Sequence, residues 1–232
     1  MKIRVLFTGL ALAASAMLSQ AQQLDVTVTN LTQGIYFTPI LIGAHSDDVS
    51  LFSVGEQASS DLQAMAEGGS IAGLAEMLTM ADGDVMENPA AGLLAPTMST
   101  STTLNTTDGN MYLSVVAMML PTNDGFIGLN SWMIPSEPGT YTIMLNAYDA
   151  GTEANDEIIN GGGAPGVAGI PFAPADNGGT GAMGVTMEEA NGYIHIHRGN
   201  LGDDDLAGGK SDLDNTVHRW LNPVARITLV VN

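Results

Sequence analysis

Apolar and polar residues alternate strictly over Leu24-Asp25-Val26-Thr27-Val28-Thr29-Asn30. A period of two puts the apolar positions on one face, which predicts a half-buried strand at the start of the folded chain. Ile35 to Gly43 (IYFTPILIG) is a second, more apolar strand. The pattern then turns helical. Leu62, Met65 and Ala66 share one face behind Ser59, Ser60 and Asp61, each a possible N-cap, and Gly68-Gly69 ends the helix. Ser70 is placed to cap a second short helix with Ile71, Leu74, Ala75 and Leu78 on one face. From Pro89 onward the helical signal disappears. Met98 to Leu104 reads as a Ser/Thr-rich strand, Tyr112 to Leu120 as a buried one and Gly139 to Ala147 as a half-buried one. Gly192 to Arg198 and Val224 to Val231 complete a set of about seven or eight strands. Between Asp149 and Asn191 lies a long segment rich in Gly, Pro, Ala and Asn, a length that marks a functional or mobile loop. No internal repeat is evident. Short strands with helices confined to one insertion predict a mainly β fold, an antiparallel β-sandwich, in a single domain over residues 22–232.

The first 21 residues read differently. Lys2 and Arg4 form a positive start, Val5 to Leu18 a short apolar run, and Ser19-Gln20-Ala21 a small-residue cleavage site. This is the pattern of an export signal over Met1–Ala21, and the apolar run is shorter than the roughly 20 residues that span a bilayer. The chain is therefore expected to be secreted or periplasmic, with no membrane insertion after signal cleavage. It has no cysteine, so it is stabilised without disulfides or a lipid-bearing cysteine. With 25 Asp+Glu against 6 Lys+Arg the formal charge is -19. So acidic a surface repels phosphate backbones and anionic headgroups, which argues against nucleic acid as a partner.

Three clusters could carry chemistry. In the first, PTNDGFIGL follows the apolar strand and AYDAGTE follows another, so Asp124 and Asp149 both stand at strand ends beside glycine. Loops at one end of a sandwich can bring such carboxylates together, and with no Lys or Arg near them a hard cation such as Ca²⁺ would relieve their repulsion. The plainer alternative is a pair of Asx-turns. In the second, Tyr193-Ile194-His195-Ile196-His197-Arg198 places His195 and His197 on one strand face, as a Zn²⁺ or Cu²⁺ site would need. Its alternative is a polar outer face, since only His45 and His218 remain as further imidazoles. The third, Asp203-Asp204-Asp205 with Asp212 and Asp214, resembles the start of an EF-hand but lacks the loop glycine and final glutamate at their spacing, and reads as a solvated acidic loop. Neither a phosphate-binding glycine loop nor a nucleophile elbow is present.

PTNDGFIGL, YDAGTE, the helical GEQASSDLQAMAEGG and Asn222-Pro223-Val224-Ala225-Arg226-Ile227-Thr228 together resemble the spondin N-terminal domain, in order and over about Leu24 to Asn232. That resemblance implies a C2-like β-sandwich with a Ca²⁺ site near strand ends. Asp124 falls on the aspartate of the family's Pro-Ser-Pro-Asp-Trp motif and Asp149 on the first of Asp-Ala-Gly-Thr-Asp, while Glu153 replaces the later aspartate. Gly125 stands where the animal proteins have Trp, and the cysteines of the following loop are absent. The resulting expectation is an exported, non-catalytic, calcium-binding adhesion or recognition module with metal ligands Asp124, Asp149 and Glu153. Its partner would be a surface or matrix protein or a glycan. The competing expectation is a transition-metal enzyme using His195 and His197.

Overall fold

The computed structural model describes residues 21–174, 178–205 and 207–232. The export signal expected over Met1–Ala21 lies, up to residue 20, outside them. The chain folds into β1 (Gln23–Asn30), β2 (Tyr36–Phe37), β3 (Leu41–His45), α1 (Ser60–Gly68), α2 (Ala72–Met80), β4 (Asp84–Glu87), β5 (Ser99–Asn105), β6 (Tyr112–Leu120), β7 (Gly125–Met133), β8 (Gly139–Asp149), β9 (His195–Ile196) and β10 (Ala225–Val231). Every pairing between these strands is antiparallel. The main path runs β4-β3-β6-β7-β8-β10-β1-β5, with β2 on β6 and β9 on β8. Its two ends approach each other, since Asp84 of β4 accepts from the backbone N–H (2.6 Å) and Oγ1 (2.7 Å) of Thr107, just past β5. The result is the mainly β, sandwich-like architecture with a short helical insertion.

The apolar pattern explains the layering. Leu24, Val26 and Val28 of β1 point inward with Ile227 and Leu229 of β10 and meet Leu113, Val115 and Ala117 of β6. A slip of one residue in β1 would turn all three of its apolar side chains to water, so the register with β10 and β5 is strongly specified. β6 is apolar on both faces because both are covered. Its other face, Val116, Met118 and Leu120, packs under the helices with Leu62, Met65, Leu74 and Leu78. Full burial of each such side chain contributes about 1.5–3 kcal/mol.

The structure differs from the sequence expectation at five points. The strand over Ile35 to Gly43 is interrupted around Pro39 into β2 and β3, because proline cannot donate to the ladder. Ser70 does not cap α2: its N–H closes the end of α1 on the Ala64 carbonyl at 3.2 Å, and the α2 cap position falls to Ile71, without a side-chain bond. Residues 125–133 form the long strand β7, where the sequence suggested only a post-strand motif, and the short β4 carried no readable signal. The strand over Gly192 to Arg198 shrinks to His195–Ile196.

Candidate functional site

The β6–β7 turn is closed by Thr122, whose Oγ1 donates to the Met119 carbonyl at 2.6 Å and accepts from the Gly125 N–H at 2.9 Å. This turn sets Asn123 and Asp124 at the head of β7. Gly125 pairs with Asp149, so the two aspartates meet at adjoining strand ends. The chain leaving β8 then wraps around Asp124. Its Oδ2 accepts from the Thr152 N–H (2.8 Å), Thr152 Oγ1 (3.2 Å) and the Glu153 N–H (3.1 Å). Its Oδ1 is buried with no partner. Asp149 forms an Asx-turn, the plainer alternative for this residue, accepting from the Gly151 N–H at 2.8 Å, and takes a second bond from Asn155 Nδ2 at 2.6 Å. Glu153 Oε2 accepts from the Gly169 N–H at 2.8 Å, while its Oε1 is buried and unpartnered.

Burial, reinforced by the neighbouring Asp149 carboxylate, pushes Asp124 up to about 7 against the opposing bonds from Thr152 and Glu153. Burial likewise pushes Glu153 up to about 7, helped by Glu67 and Asp124 and opposed by the Gly169 and Asn123 bonds. His195 Nε2 lies 3.6 Å from Asp149 Oδ2. Among the described residues no lysine or arginine forms an ion pair with Asp124, Asp149 or Glu153.

The histidine strand joins the same place. His195 is the register partner of Asp149, and the imidazole of His197 lies beside Trp220, ring centroids 4.9 Å apart. The polar outer face expected for the pair holds only for half-exposed His195. His197 is 5% exposed, and burial lowers it to about 4 despite the Asp149 carboxylate. Its Nδ1 accepts from the Gly199 N–H at 3.0 Å, which leaves the proton on Nε2, and Nε2 has no partner. A Cβ at position 125 would stand 2.7 Å from Thr122 Oγ1 and 3.1 Å from the His197 ring, so glycine there makes room for both the turn hydroxyl and the imidazole. Among the described residues no group of three or more His, Asp or Glu side chains is placed to hold an ion by themselves.

A cleft of about 310 Å³ opens between this cluster and the long loop. Asp149, Glu153, Glu157 and both histidines contribute to its walls, with Glu188 and Glu189 among its exposed residues. Glu157, 5% exposed, holds the loop in place through bonds from the Leu201 and Gly202 N–H groups and from Ser211 Oγ. Asp212 is not part of a solvated acidic loop, as its sequence context suggested. It is buried, and the N–H groups of Ile159, Thr180 and Ala182, with Thr180 Oγ1, outweigh burial and hold its carboxyl below the usual range. Asp203 similarly gathers the amides of Asp205, Lys210 and Ser211.

Residues the sequence reading passed over complete the picture. Asn123 bonds Asp156 Oδ1 at 2.9 Å, Asn155 bonds Asp149, and Glu67 of α1 accepts from the Gly166 N–H at 2.6 Å. Glu67 had one legible signal, a carboxylate next to the buried helix positions Met65 and Ala66.

The family model described as Spondin_N matches residues 29–157, just over half of the sequence. The chain belongs to the spondin N-terminal family. No curated protein matches it. The spondin N-terminal match spans Asp124, Asp149 and Glu153 and ends at Glu157, before the histidine strand and the C-terminal Asn222–Thr228 motif. Membership supports a non-catalytic recognition module of a typically extracellular kind. No described helix is long and apolar enough to cross a membrane.

Proposed function

We propose that this chain is an exported recognition module that binds Ca²⁺ where β7 and β8 end side by side, through Asp124 and Asp149 with Glu153 as a third carboxylate. The observation that carries the reading is Asp124: a fully buried carboxylate beside a second carboxylate, with Oδ1 left without a donor. An unsatisfied buried acceptor costs about 1–3 kcal/mol, more when charged. A hard cation that accepts six to eight oxygens, carbonyls and amide oxygens included, would relieve both that cost and the repulsion between the carboxylates.

The donor set fits Ca²⁺ better than a soft or borderline metal. His197 keeps its proton on Nε2 because Nδ1 accepts from Gly199, so that nitrogen has no lone pair to give. The transition-metal reading thereby loses one of its two imidazoles. The recognition surface would be built from the loops at this end of the sandwich and would meet a surface or matrix protein or a glycan.

Thermal melts with Ca²⁺ and with chelator test the reading. An ion bound only by the folded state stabilises it by RT ln(1 + [L]/Kd), about 2.7 kcal/mol at a hundredfold excess over Kd. The melting temperature should rise with Ca²⁺, and Asp124→Asn, which keeps the side-chain shape, should abolish the rise. Identical melts of the unaltered protein with and without Ca²⁺ would overturn it.

A further inference from the structure

β5 ends the sheet path on the side of β1. The alternation of the β1–β5 ladder says which of its backbone groups face outward. The Thr106 N–H donates to the Gln22 carbonyl at 2.8 Å and the Asn30 N–H to the Met98 carbonyl at 2.9 Å, so the even-numbered residues between them carry the bonds to β1. The N–H and C=O groups of Ser99, Ser101 and Thr103 therefore point away from β1, and among the described residues no strand pairs with them. All three residues are exposed.

Folds disarm such an edge with short length, charge, proline or a bulge. β4, at the other end of the path, is treated in that way: it is four residues long, beginning with Asp84 and ending with Glu87. β5 has none of these devices. It runs for seven residues, STSTTLN, with no charge and no proline, and its register with β1 holds without a shift. The neutral stretch extends past the strand, since none of the chain's 25 acidic and 6 basic residues lies between Asn88 and Thr107. On a molecule of formal charge -19, two copies meeting along this strip oppose no like charges.

The strand is also complementary to itself. A two-fold axis through Ser101 sets Ser101 against its own copy and Ser99 against Thr103, each an outward-facing residue able to exchange both backbone bonds. The hydroxyl pairs already formed with β1, Thr27 with Ser101 at 2.8 Å and Thr29 with Ser99 at 2.9 Å, would continue across that axis. Met98, 56% exposed, would fall opposite Leu104 and add apolar surface. We propose that two copies of this chain associate through β5, paired antiparallel about Ser101. A single strand pair buries little area, so the dimer is weak and reversible. The contact uses none of the calcium or cleft residues and goes beyond the recognition reading.

Sedimentation velocity of the protein in chelator, over a range of concentrations and at low and high salt, tests it. A monomer–dimer equilibrium should appear and tighten as salt rises, because screening lowers the repulsion around a neutral contact. Ser101→Pro removes an outward N–H but no bond to β1, and should weaken the dimer at least tenfold. Ser101→Lys sets two ammonium groups side by side across the axis and should do the same. Thr228→Lys adds that charge to the same face of β10, a strand with neighbours on both sides, and should change the dimer less than twofold. Because the chain has no cysteine, Ser101→Cys supplies a single thiol that a short bifunctional thiol reagent should link to its copy, while Thr228→Cys should stay unlinked. If Ser101→Pro melts early, Ser101→Lys and the cross-link decide. A monomer at every concentration would overturn the proposal. So would a dimer that Ser101→Lys leaves intact, which puts the contact elsewhere, or one that salt dissociates, which makes it electrostatic.

Discussion

Asp124 is an asymmetric carboxylate, with three donors on one oxygen and none on the other. Both Asp124 and Glu153 sit near 7 in the folded protein, against ordinary values of 3.8 and 4.5. The folded state therefore binds more protons than the unfolded chain between about pH 4 and 7. Their stabilising contribution is present at low pH and is lost as pH rises through 7. His197 works in the opposite sense, because its folded value of about 4 lies below 6.5, so it costs stability as pH falls from about 6.5 to 4. Two groups outweigh one. In chelator the melting temperature is expected to fall from pH 5 to about pH 7, where both carboxyls become ionised in the folded state, and to level off above it. His197→Gln should steepen the decline below pH 6.5. Ca²⁺ would favour the ionised carboxylates and flatten the profile. A melting temperature that climbs steadily over this range in chelator would contradict the assignment of both carboxyl groups.

The elements show where the sequence could be read and where it could not. β1, β6 and α1 were legible because a local periodicity or cap matches a local fate. Ser59 does accept from the Leu62 N–H at 3.1 Å, and Gly69 does close the helix at φ 74°. β7 was missed because its glycines and asparagine read as turn chemistry, while its pairing with β6 and β8 is a tertiary matter. The two aspartates were legible as strand-end residues beside glycine. Their union with His195 and His197 was not, because β9 returns to β8 only after the long loop, and its two paired residues carry little signal. Gly151 shows what that return demands. Its φ is +70°, and an added Cβ would lie 2.5 Å from the backbone N and O of Tyr193. Gly55 has a similar φ of +89° but open space around it. Gly151→Ala should therefore cost the backbone strain plus a steric penalty of about 1–3 kcal/mol, and Gly55→Ala the strain alone. Denaturant titrations of the two variants measure the difference, and equal losses would show that β9 is not held against Gly151.

At the scale of the whole molecule, the expected cleavage point lies just before the first described strand. The Ala21 N–H donates to Asp108 Oδ1 at 2.7 Å, the Gln22 N–H donates to Thr106 Oγ1 at 2.9 Å, and β1 begins at Gln23. From there β1 lies between β10 and β5 and buries Leu24, Val26 and Val28 in the main core. Cleavage after Ala21 gives up one backbone bond at an exposed position and leaves every strand pairing of β1 intact. Cleavage a few residues later would cut into the ladder and expose Leu24. A signal peptidase acting on the small-residue site would therefore leave the described pairings of β1 in place. Intact mass measurement of the protein recovered outside the cytoplasm should give a chain starting at Gln22, or within a residue or two of it. Recovery of the full-length chain in a membrane fraction would overturn the export reading and make the first residues an anchor.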